Sequence, residues 1–373
     1  MIRVLYIARY HTPSMERKIA LVAAQPDLAV WLVRPSVWQD EYGKRPVQTV
    51  AEGYRMVAVP LLGQANEPHR AIYRTLTFAM RAARPHLIHA EEEPDSLAAL
   101  QIALARRLFA PQAKLILHTW QNINRRKSWY VWWVTRAALR SADSILCANR
   151  EAVSVLVQMG YDNPTAVIPP QGVDTQIFRP PPYRLPSESF TIVYAGRLVK
   201  EKGISTLIEA IRLLASGARL QLVGEGPYRA EAQALAHAAR AHDQIRFAPP
   251  VSAEGMAHVL AQADVVVLPS QTTPVWKEQF GRILIEAMAC RVPVIGSDSG
   301  AIPEVIGEAG LVFPEGDATA LADCLRRLVE SPDLRRDLAE RGYARVMQHY
   351  TQERIAEQTV DFYRRLLTTQ GHP

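Results

Sequence analysis

The stretch PVWKEQFGRILIEAMACRVPVIGSDSGAIPEVIG, residues 274–307, decides how the rest of the chain is read. Glu278 and Glu286 stand with seven residues between them. Gly281 lies in that interval, where the apolar helical run Ile283, Leu284, Ile285, Ala287, Met288, Ala289 begins. A short apolar strand over 292–296 follows. A helix N-terminus approached through glycine is a place to dock an anion, because its first N–H groups have no acceptor within the helix. One carboxylate precedes that end and the other lies about 7.5 Å farther along, at ~1.5 Å rise per residue. So placed, the two can accept hydroxyl hydrogen bonds on either side of the anion. A nucleotide sugar has that shape: sugar hydroxyls, diphosphate, ribose hydroxyls.

Outward from this stretch, short apolar strands alternate with longer helical runs. In the first half the strands are expected over 3–8, 29–33, 56–59, 87–90, 114–118, 144–148 and 165–168, with helical patterns over 72–83, 96–108 and 131–139. The proline-rich run from Pro180 to Pro186 reads as a stiff linker. The alternation then restarts, with strands over 190–194, 219–223, 244–247, 265–268, 292–296 and 310–312. Helices fill 203–214, 228–241, 253–261, 281–289 and 319–330, and the tail over 333–367 is helical throughout. Such βα alternation implies parallel sheets wrapped by helices. The chain is an α/β protein of two Rossmann-like domains with a cleft between them. Ligands of such sheets bind beyond the carboxyl ends of the strands.

The composition narrows the function classes. With 373 residues there is length for two domains. Hydrophobic residues make up 48% and charged residues 21%, as in globular rather than fibrous or disordered chains. Cys147, Cys290 and Cys324 are far apart and show no metal-type spacing, which points to a reducing cytosol. No secretory leader and no apolar run of membrane-spanning length is expected. A net charge of +6 favours anionic partners. No nucleic-acid module is present in the pattern, so nucleic acid is not expected as a partner.

Several other segments fall at strand ends. Arg197 and Lys202 flank a loop that leads from the strand 190–194 into a helix at Gly203. Two cations there can neutralise a diphosphate, the arginine as a fork and the lysine as a point charge. Gly224-Glu225-Gly226-Pro227 is a turn, and Phe247-Ala248-Pro249-Pro250-Val251 follows another strand. His118 closes the strand LILH in the first half and points toward the cleft.

Taken together these segments resemble the retaining glycosyltransferases of family 4, whose E-x7-E motif has the spacing of Glu278 and Glu286. Gly196, Arg197, Lys202 and Gly203 match that family's G-R-x-x-x-x-K-G pattern, and Gly224-Glu225-Gly226-Pro227 matches its G-x-G-P turn. The resemblance covers nearly the whole chain and is densest over 190–317. It implies the GT-B fold, two Rossmann-like domains facing each other across a deep cleft. The domains are expected over 1–182 for the acceptor and 183–350 for the nucleotide sugar, with a C-terminal helix over 351–373 packing back toward the first.

The resemblance also implies roles. His118, Arg197, Lys202 and Glu278 would be the catalytic set, with Glu278 on the donor-sugar hydroxyls and His118 on sugar and phosphate. Gly196, Glu225, Val251, Phe280, Gly281, Arg282 and Glu286 would bind the donor, with Glu286 on the ribose. Pro249 stands where the family has glycine, which restricts the backbone facing the base. The first loop lacks the family's Gly-Gly pair, so Arg9, His11 and Ser14 are expected on the acceptor side. Glu92 and Glu93, within the triple Glu91-Glu92-Glu93, read either as acceptor-binding carboxylates or as a solvated turn.

Residues 125–136, RRKSWYVWWVTR, hold three of the seven tryptophans and four cations without one acid. They read either as an anionic membrane surface contact or as a helix burying its tryptophans. The chain contains no D-x-D, the carboxylate pair with which glycosyltransferases of another fold hold a metal. The expected activity is therefore metal-independent transfer of a hexose-type sugar, with retention by front-face substitution, to a glycan or lipid-linked acceptor. No cofactor is expected beyond the nucleotide diphosphate sugar as co-substrate, with a UDP-sugar favoured over a GDP-sugar. The expected location is cytoplasmic, at the inner membrane face, in polysaccharide assembly. A GT-B epimerase, a phosphorylase and a non-catalytic nucleotide-sugar-binding partner are the rival readings.

Overall fold

The computed structural model describes residues 1–10, 13–40, 43–47, 53–63, 70–182, 189–214 and 217–368. The chain forms two compact units, one of Met1–Gly172 with Gln352–Pro373 and one of Val173–Thr351. The second unit closes on itself where it begins and ends. Val173 N donates to Tyr350 O at 2.8 Å, and Val173 bridges Thr351. The division thus comes ahead of the proline-rich run, of which residues 183–188 lie outside the described residues.

The first unit is built on seven parallel strands in the order Thr165–Val167, Ser144–Cys147, Lys114–Thr119, Leu87–Ala90, Ile2–Ile7, Leu28–Pro35, Arg55–Val59. Ile2–Ile7, the first strand of the chain, lies between the second and the fourth of the seven, so the winding reverses beside it. The strand Leu87–Ala90 is buried at every position, and so is Ser144–Cys147, as expected for strands covered on both faces. One face of the sheet is covered by the helices Thr77–Ala83, Leu97–Phe109 and Trp129–Ser141, whose small residues Ala79, Ala98, Ala99 and Ala138 meet Leu5, Ile88 and Leu115. The other face takes the helix Gln352–Thr368, through Ile355, Ala356, Val360, Phe362 and Tyr363 packed with Val4, Tyr6 and Leu32.

The second unit has six parallel strands in the order Ile245–Ala248, Ala218–Val223, Phe190–Ala195, Val265–Leu268, Val294–Ser297, Leu311–Phe313. In chain order this is 3-2-1-4-5-6, the doubly wound arrangement. Its reversal falls between Phe190–Ala195 and Val265–Leu268, which pair through Ile192 with Val265 and Val193 with Val266. The loops leaving these two strands carry the residues 196–203 and 269–281. The topology therefore brings the Arg197–Lys202 segment and the Glu278 segment to one place, although 76 residues separate Lys202 from Glu278.

Two expected elements are corrected. The helix expected over 72–83 starts only at Thr77, because Ile72–Tyr73 pairs with Leu61–Leu62 as a short antiparallel strand. Tyr73 N donates to Gln101 Oε1 at 2.9 Å, and Gln101 Nε2 donates to Tyr73 O at 2.5 Å. Hydrogen bonds to a neighbouring helix have replaced those of a first helical turn. The continuous tail helix is two helices, Pro332–His349 and Gln352–Thr368. The break at Tyr350 and Thr351 is where the chain returns to pair with Val173.

Candidate active site

In the second unit the strand Phe190–Ala195 runs out at Gly196 and Arg197 and continues into the one-turn 3-10 helix Lys200–Lys202. Gly203 ends that turn at φ 67°, and a Cβ built on it would lie 1.8 Å from the Pro269 carbonyl oxygen. Only glycine lets the two loops approach this closely. Gln271 N donates to Glu201 O at 2.7 Å and joins the same loops through the backbone. Lys202 is thereby delivered to the Glu278 loop. Lys202 Nζ lies 2.6 Å from Glu278 Oε2, and Ser270 Oγ donates to the same oxygen at 2.7 Å. The ammonium also sits 4.8 Å from the Trp276 ring centroid.

Glu278 is fixed from behind. Gly300, at φ 56°, packs so closely that a Cβ there would be 2.1 Å from the Glu278 carbonyl oxygen, and Ala301 N donates to that oxygen at 3.0 Å. Trp276 is held by a four-residue turn, in which Thr273 N donates to Trp276 O at 2.7 Å and Trp276 N to Thr273 Oγ1 at 2.9 Å. Gly281 then forms the N-cap of the helix Arg282–Ala289, which is buried from Ile283 onward. Phe280 is buried edge-on to Tyr350. Burial raises the Glu286 carboxyl, against the opposing pull of Arg282, whose Nε lies 2.9 Å from Glu286 Oε1. Burial, with Glu278 adding to it, also pushes the Tyr194 phenol up, and Tyr194 OH donates to Arg197 O at 2.7 Å.

Other expected donor-side residues are exposed. Gly196 and Arg197 are exposed, and no carboxylate pairs with the Arg197 guanidinium among the described residues. Glu225 is exposed and pairs with Arg229 at 2.9 Å. Val251 is exposed ahead of the helix Ala253–Gln262. Sequence reasoning did not single out Ser270 or Trp276. Ser270 was detectable in principle, as the second residue beyond a strand that borders the winding reversal.

The first unit gathers a second set of polar groups at its own reversal. Arg9 makes two contacts to Glu92, Nε to Oε1 at 2.8 Å and Nη2 to Oε2 at 3.1 Å, and also donates to Ala71 O. Tyr73 OH adds a bond to Glu92 at 3.2 Å. Burial raises the Glu92 carboxyl and Arg9 opposes it. Glu93 accepts from Thr119 Oγ1 at 2.6 Å and from Trp120 N at 2.7 Å, and burial pushes it up to about 7. Glu91 accepts from Lys18 and Tyr6. The alternative of a solvated turn is thus corrected, since all three carboxylates are engaged by fixed partners. His11 lies outside the described residues, and Ser14 is in the helix Pro13–Ala23.

His118 is 2% exposed, and neither ring nitrogen has a hydrogen-bond partner among the described residues. Burial lowers it to about 4, against the pull of Glu91, so the ring is neutral at pH 7. It stacks on His89 with centroids 5.8 Å apart, and His89 Nδ1 meets Tyr363 OH at 2.5 Å. His89, Glu91 and His118 bring nitrogen and oxygen atoms within 4.8 Å of one another, a donor set that suits a transition metal. The Glu91 carboxylate, however, already carries the buried Lys18 ammonium, which also donates to Pro170 O at 2.7 Å. The cluster therefore comes with its own cation. In the segment 125–136, the burial alternative is corrected: Trp129, Trp132 and Trp133 are exposed, and the helix Trp129–Ser141 packs through Thr135, Ala138 and Leu139. Among the described residues no helix is long and apolar enough to cross a membrane.

The chain is similar to known proteins along most of its length. Residues 23–177 match the family model described as Glycosyltransferase Family 4, and residues 176–345 match Glycosyl transferases group 1. Over 211 residues the chain is 34% identical to a GDP-mannose-dependent alpha-(1-6)-phosphatidylinositol monomannoside mannosyltransferase of Mycobacterium tuberculosis, covering 52% of this chain and 54% of the relative. Over 185 residues it is 31% identical to an N-acetyl-alpha-D-glucosaminyl L-malate synthase of Bacillus anthracis, covering 48% and 47%. The chain spans about half the length of the curated relatives it matches. Among solved structures, sucrose-phosphate synthase from Thermosynechococcus elongatus superposes with a TM-score of 0.75 at 22% identity, over 99% of this chain and 100% of that one. HepE of Anabaena in complex with UDP gives 0.74 at 17% identity, over 98% and 100%. The fold is GT-B. With the two family models running together from residue 23 to residue 345, the chain belongs to the glycosyltransferases of family 4.

Proposed function

We propose that the protein transfers a hexose-type sugar from a nucleotide diphosphate sugar to a glycan or lipid-linked acceptor, with retention of anomeric configuration and without a metal. One observation carries this reading: Lys202, Glu278 and Ser270 meet at the winding reversal of the second unit, two residues ahead of Phe280 and the capping Gly281 of a buried helix. The helix N-terminus offers N–H groups and Lys202 and Arg197 offer positive charge to a diphosphate. Glu278 takes hydroxyls of the sugar, and Glu286 those of the ribose. Glu91, Glu92 and Glu93 at the strand end of the first unit are each bound to fixed partners rather than poised as covalent nucleophiles, which supports front-face substitution. In that step the bond from the anomeric carbon to the diphosphate oxygen breaks while the acceptor oxygen bonds the same face. The acceptor proton passes to the departing diphosphate. The charge that develops on the leaving group is what Arg197, Lys202 and the helix end would stabilise.

The acceptor side is assigned to the first unit around Arg9, Glu92 and Glu93, with Arg9 and Glu92 shaping the wall through their mutual bonds, and His118 is assigned to the donor sugar and phosphate. UDP-sugars are favoured over GDP-sugars as donor. Polysaccharide assembly on the cytoplasmic side is the setting, with residues 125–136 facing an anionic membrane surface. Thermal-shift titration against nucleotides and nucleotide sugars tests the donor reading, because a ligand that binds only the folded state raises the melting temperature. A UDP-sugar should give the largest rise, and Lys202→Ala should abolish it. A flat response to every nucleotide would end the reading. Turnover in chelator at the untreated rate supports metal independence, and its loss there would overturn that point.

A further inference from the structure

The surface of the helix Trp129–Ser141 is unlike the rest of the chain. Trp129 is 77% exposed, Trp133 57% and Trp132 45%. Several exposed helical arginines elsewhere are matched by an acid one turn away: Arg212 with Glu209, Arg326 with Asp323, Arg336 with Asp333, Arg341 with Asp337. Arg125, Arg126 and Arg136 have no carboxylate partner among the described residues, and the segment they belong to contains no acid. They converge on a groove of about 480 Å³ whose wall also includes Lys127, Trp132 and Met159, with no carboxylate among its lining residues.

The groove has internal order. Lys127 is spoken for, since its ammonium bonds Asp95 at 2.9 Å, Gln121 at 3.2 Å and Thr135 at 3.4 Å. The positive charge left for a ligand is therefore that of the three arginines. Arg136 lies 5.2 Å from the Trp132 ring centroid, which restrains the guanidinium against an apolar wall. Cations and the apolar Trp132 and Met159 in one lining suit an anionic head attached to methylenes. Guanidinium forks match phosphate oxygens in pairs. Trp129 and Trp133 are exposed on the helix that also carries Trp132 and Arg136, and such indoles settle at the headgroup level of a bilayer. The adjoining helix Leu97–Phe109 also exposes Leu104 and Leu108.

We propose that this groove binds the phosphodiester headgroup of one anionic phospholipid, drawn from the bilayer on which Trp129 and Trp133 rest. The inference rests on the membrane-surface reading of residues 125–136 and adds to it a discrete, saturable site. Electrostatic attraction brings the face to an anionic leaflet, and the groove then selects a single phosphate together with its first methylenes.

Calorimetric titration of the full chain with monomeric dihexanoylphosphatidylglycerol, below its micelle concentration, tests the site. Dihexanoylphosphatidylcholine and inorganic phosphate form the other arms, and sedimentation with phosphatidylcholine vesicles, with and without phosphatidylglycerol, runs beside them. The expected result is one-to-one binding of the phosphatidylglycerol alone, weakened about tenfold by Arg126→Ala and again by Arg136→Ala. Trp133→Ala should lower sedimentation with anionic vesicles and leave monomer binding intact. All three side chains are exposed, so melting temperatures should match the unsubstituted protein. Sedimentation without monomer binding would mean a diffuse charged face and would overturn the groove while sparing the membrane reading. Equal binding of inorganic phosphate would make it a free-anion site, and monomer binding indifferent to both arginine substitutions would place it elsewhere. Absence of sedimentation with anionic vesicles would remove the membrane reading and the groove together.

Discussion

Lys202 Nζ stands 2.6 Å from Glu278 Oε2, joining the loops that leave two adjacent strands of the second unit. The two side chains are mostly withdrawn from water, and Ser270 completes the carboxylate oxygen they share. Each restrains the other's position. Lys202→Ala or Glu278→Ala should lower turnover by roughly 100-fold or more, the cost of removing one preorganised electrostatic contact. Single-turnover rates with a UDP-sugar and acceptor are the measurement, with circular dichroism as the control for folding. Near-normal rates in both variants would refute the site.

The glycine contacts make a separate prediction about architecture. Gly203→Ala must displace the Pro269 carbonyl, and Gly300→Ala must displace that of Glu278, at positions that also have positive φ. Each should cost on the order of 4 kcal/mol or more, the range reached when strain and overpacking combine. Urea denaturation of the two variants measures this. A loss below about 1 kcal/mol would mean that the loops part easily and do not preorganise Lys202.

Much of this architecture was legible before the fold was known. The strands over 87–90 and 265–268 were readable to the residue, because LIHA and VVVL are buried on both faces and carry a continuous signal. The Lys202 and Glu278 segments were readable as chemistry, and the winding order explains why they meet. What stayed hidden depended on tertiary partners. Lys18 looks like an ordinary polar position of an amphipathic helix, yet its ammonium is buried against Glu91 and Pro170. The strand Ile72–Tyr73 looks helical until Gln101 takes its backbone bonds. Arg9 and Glu92 read as ligands for an acceptor, whereas their closest partners are each other.

That last pair supports a stability prediction. Breaking a buried ion pair by removing one member leaves the other charge without compensation, at a cost of about 3–5 kcal/mol. Arg9→Ala should therefore lower the melting temperature of the first unit by on the order of 10 °C. Glu92→Gln, which keeps the shape and a hydrogen-bonding oxygen, should lose less. Calorimetry distinguishes the two, and equal small losses would show that the pair is solvated in solution.

The pH dependence of stability contains two opposed contributions in the first unit. His118 is lowered to about 4 by burial, so on acidification below its ordinary value of about 6.5 the unfolded chain gains a proton that the native one refuses, and stability falls. Glu93 is raised to about 7 by burial, so as pH rises from its ordinary value of about 4.5 the unfolded chain ionises first, and stability again falls. Between about pH 4.5 and 6.5 the two slopes oppose each other. Glu93→Gln should expose the His118 slope, with melting temperature dropping more steeply on acidification than in the unsubstituted protein. His118→Gln should shift the slope the opposite way. Parallel profiles for all three proteins would show that neither group titrates as its burial demands.

Trp276 offers the last test, of position rather than contact with the reacting atoms. Its ring lies 4.8 Å from the Lys202 ammonium and is itself pinned by the Thr273 turn. A cation–π contact of this kind is worth roughly 0.5–2 kcal/mol, depending on desolvation, enough to change turnover by up to about 30-fold. Trp276→Leu preserves apolar bulk but removes the quadrupole, so kcat should fall by about tenfold with little change in acceptor KM. Trp276→Phe should recover part of the loss, because a weaker π face remains. A purely structural role predicts a lower melting temperature with kcat intact once the protein is folded. The split between kcat and stability therefore decides whether the indole orients Lys202 or only fills space beside it.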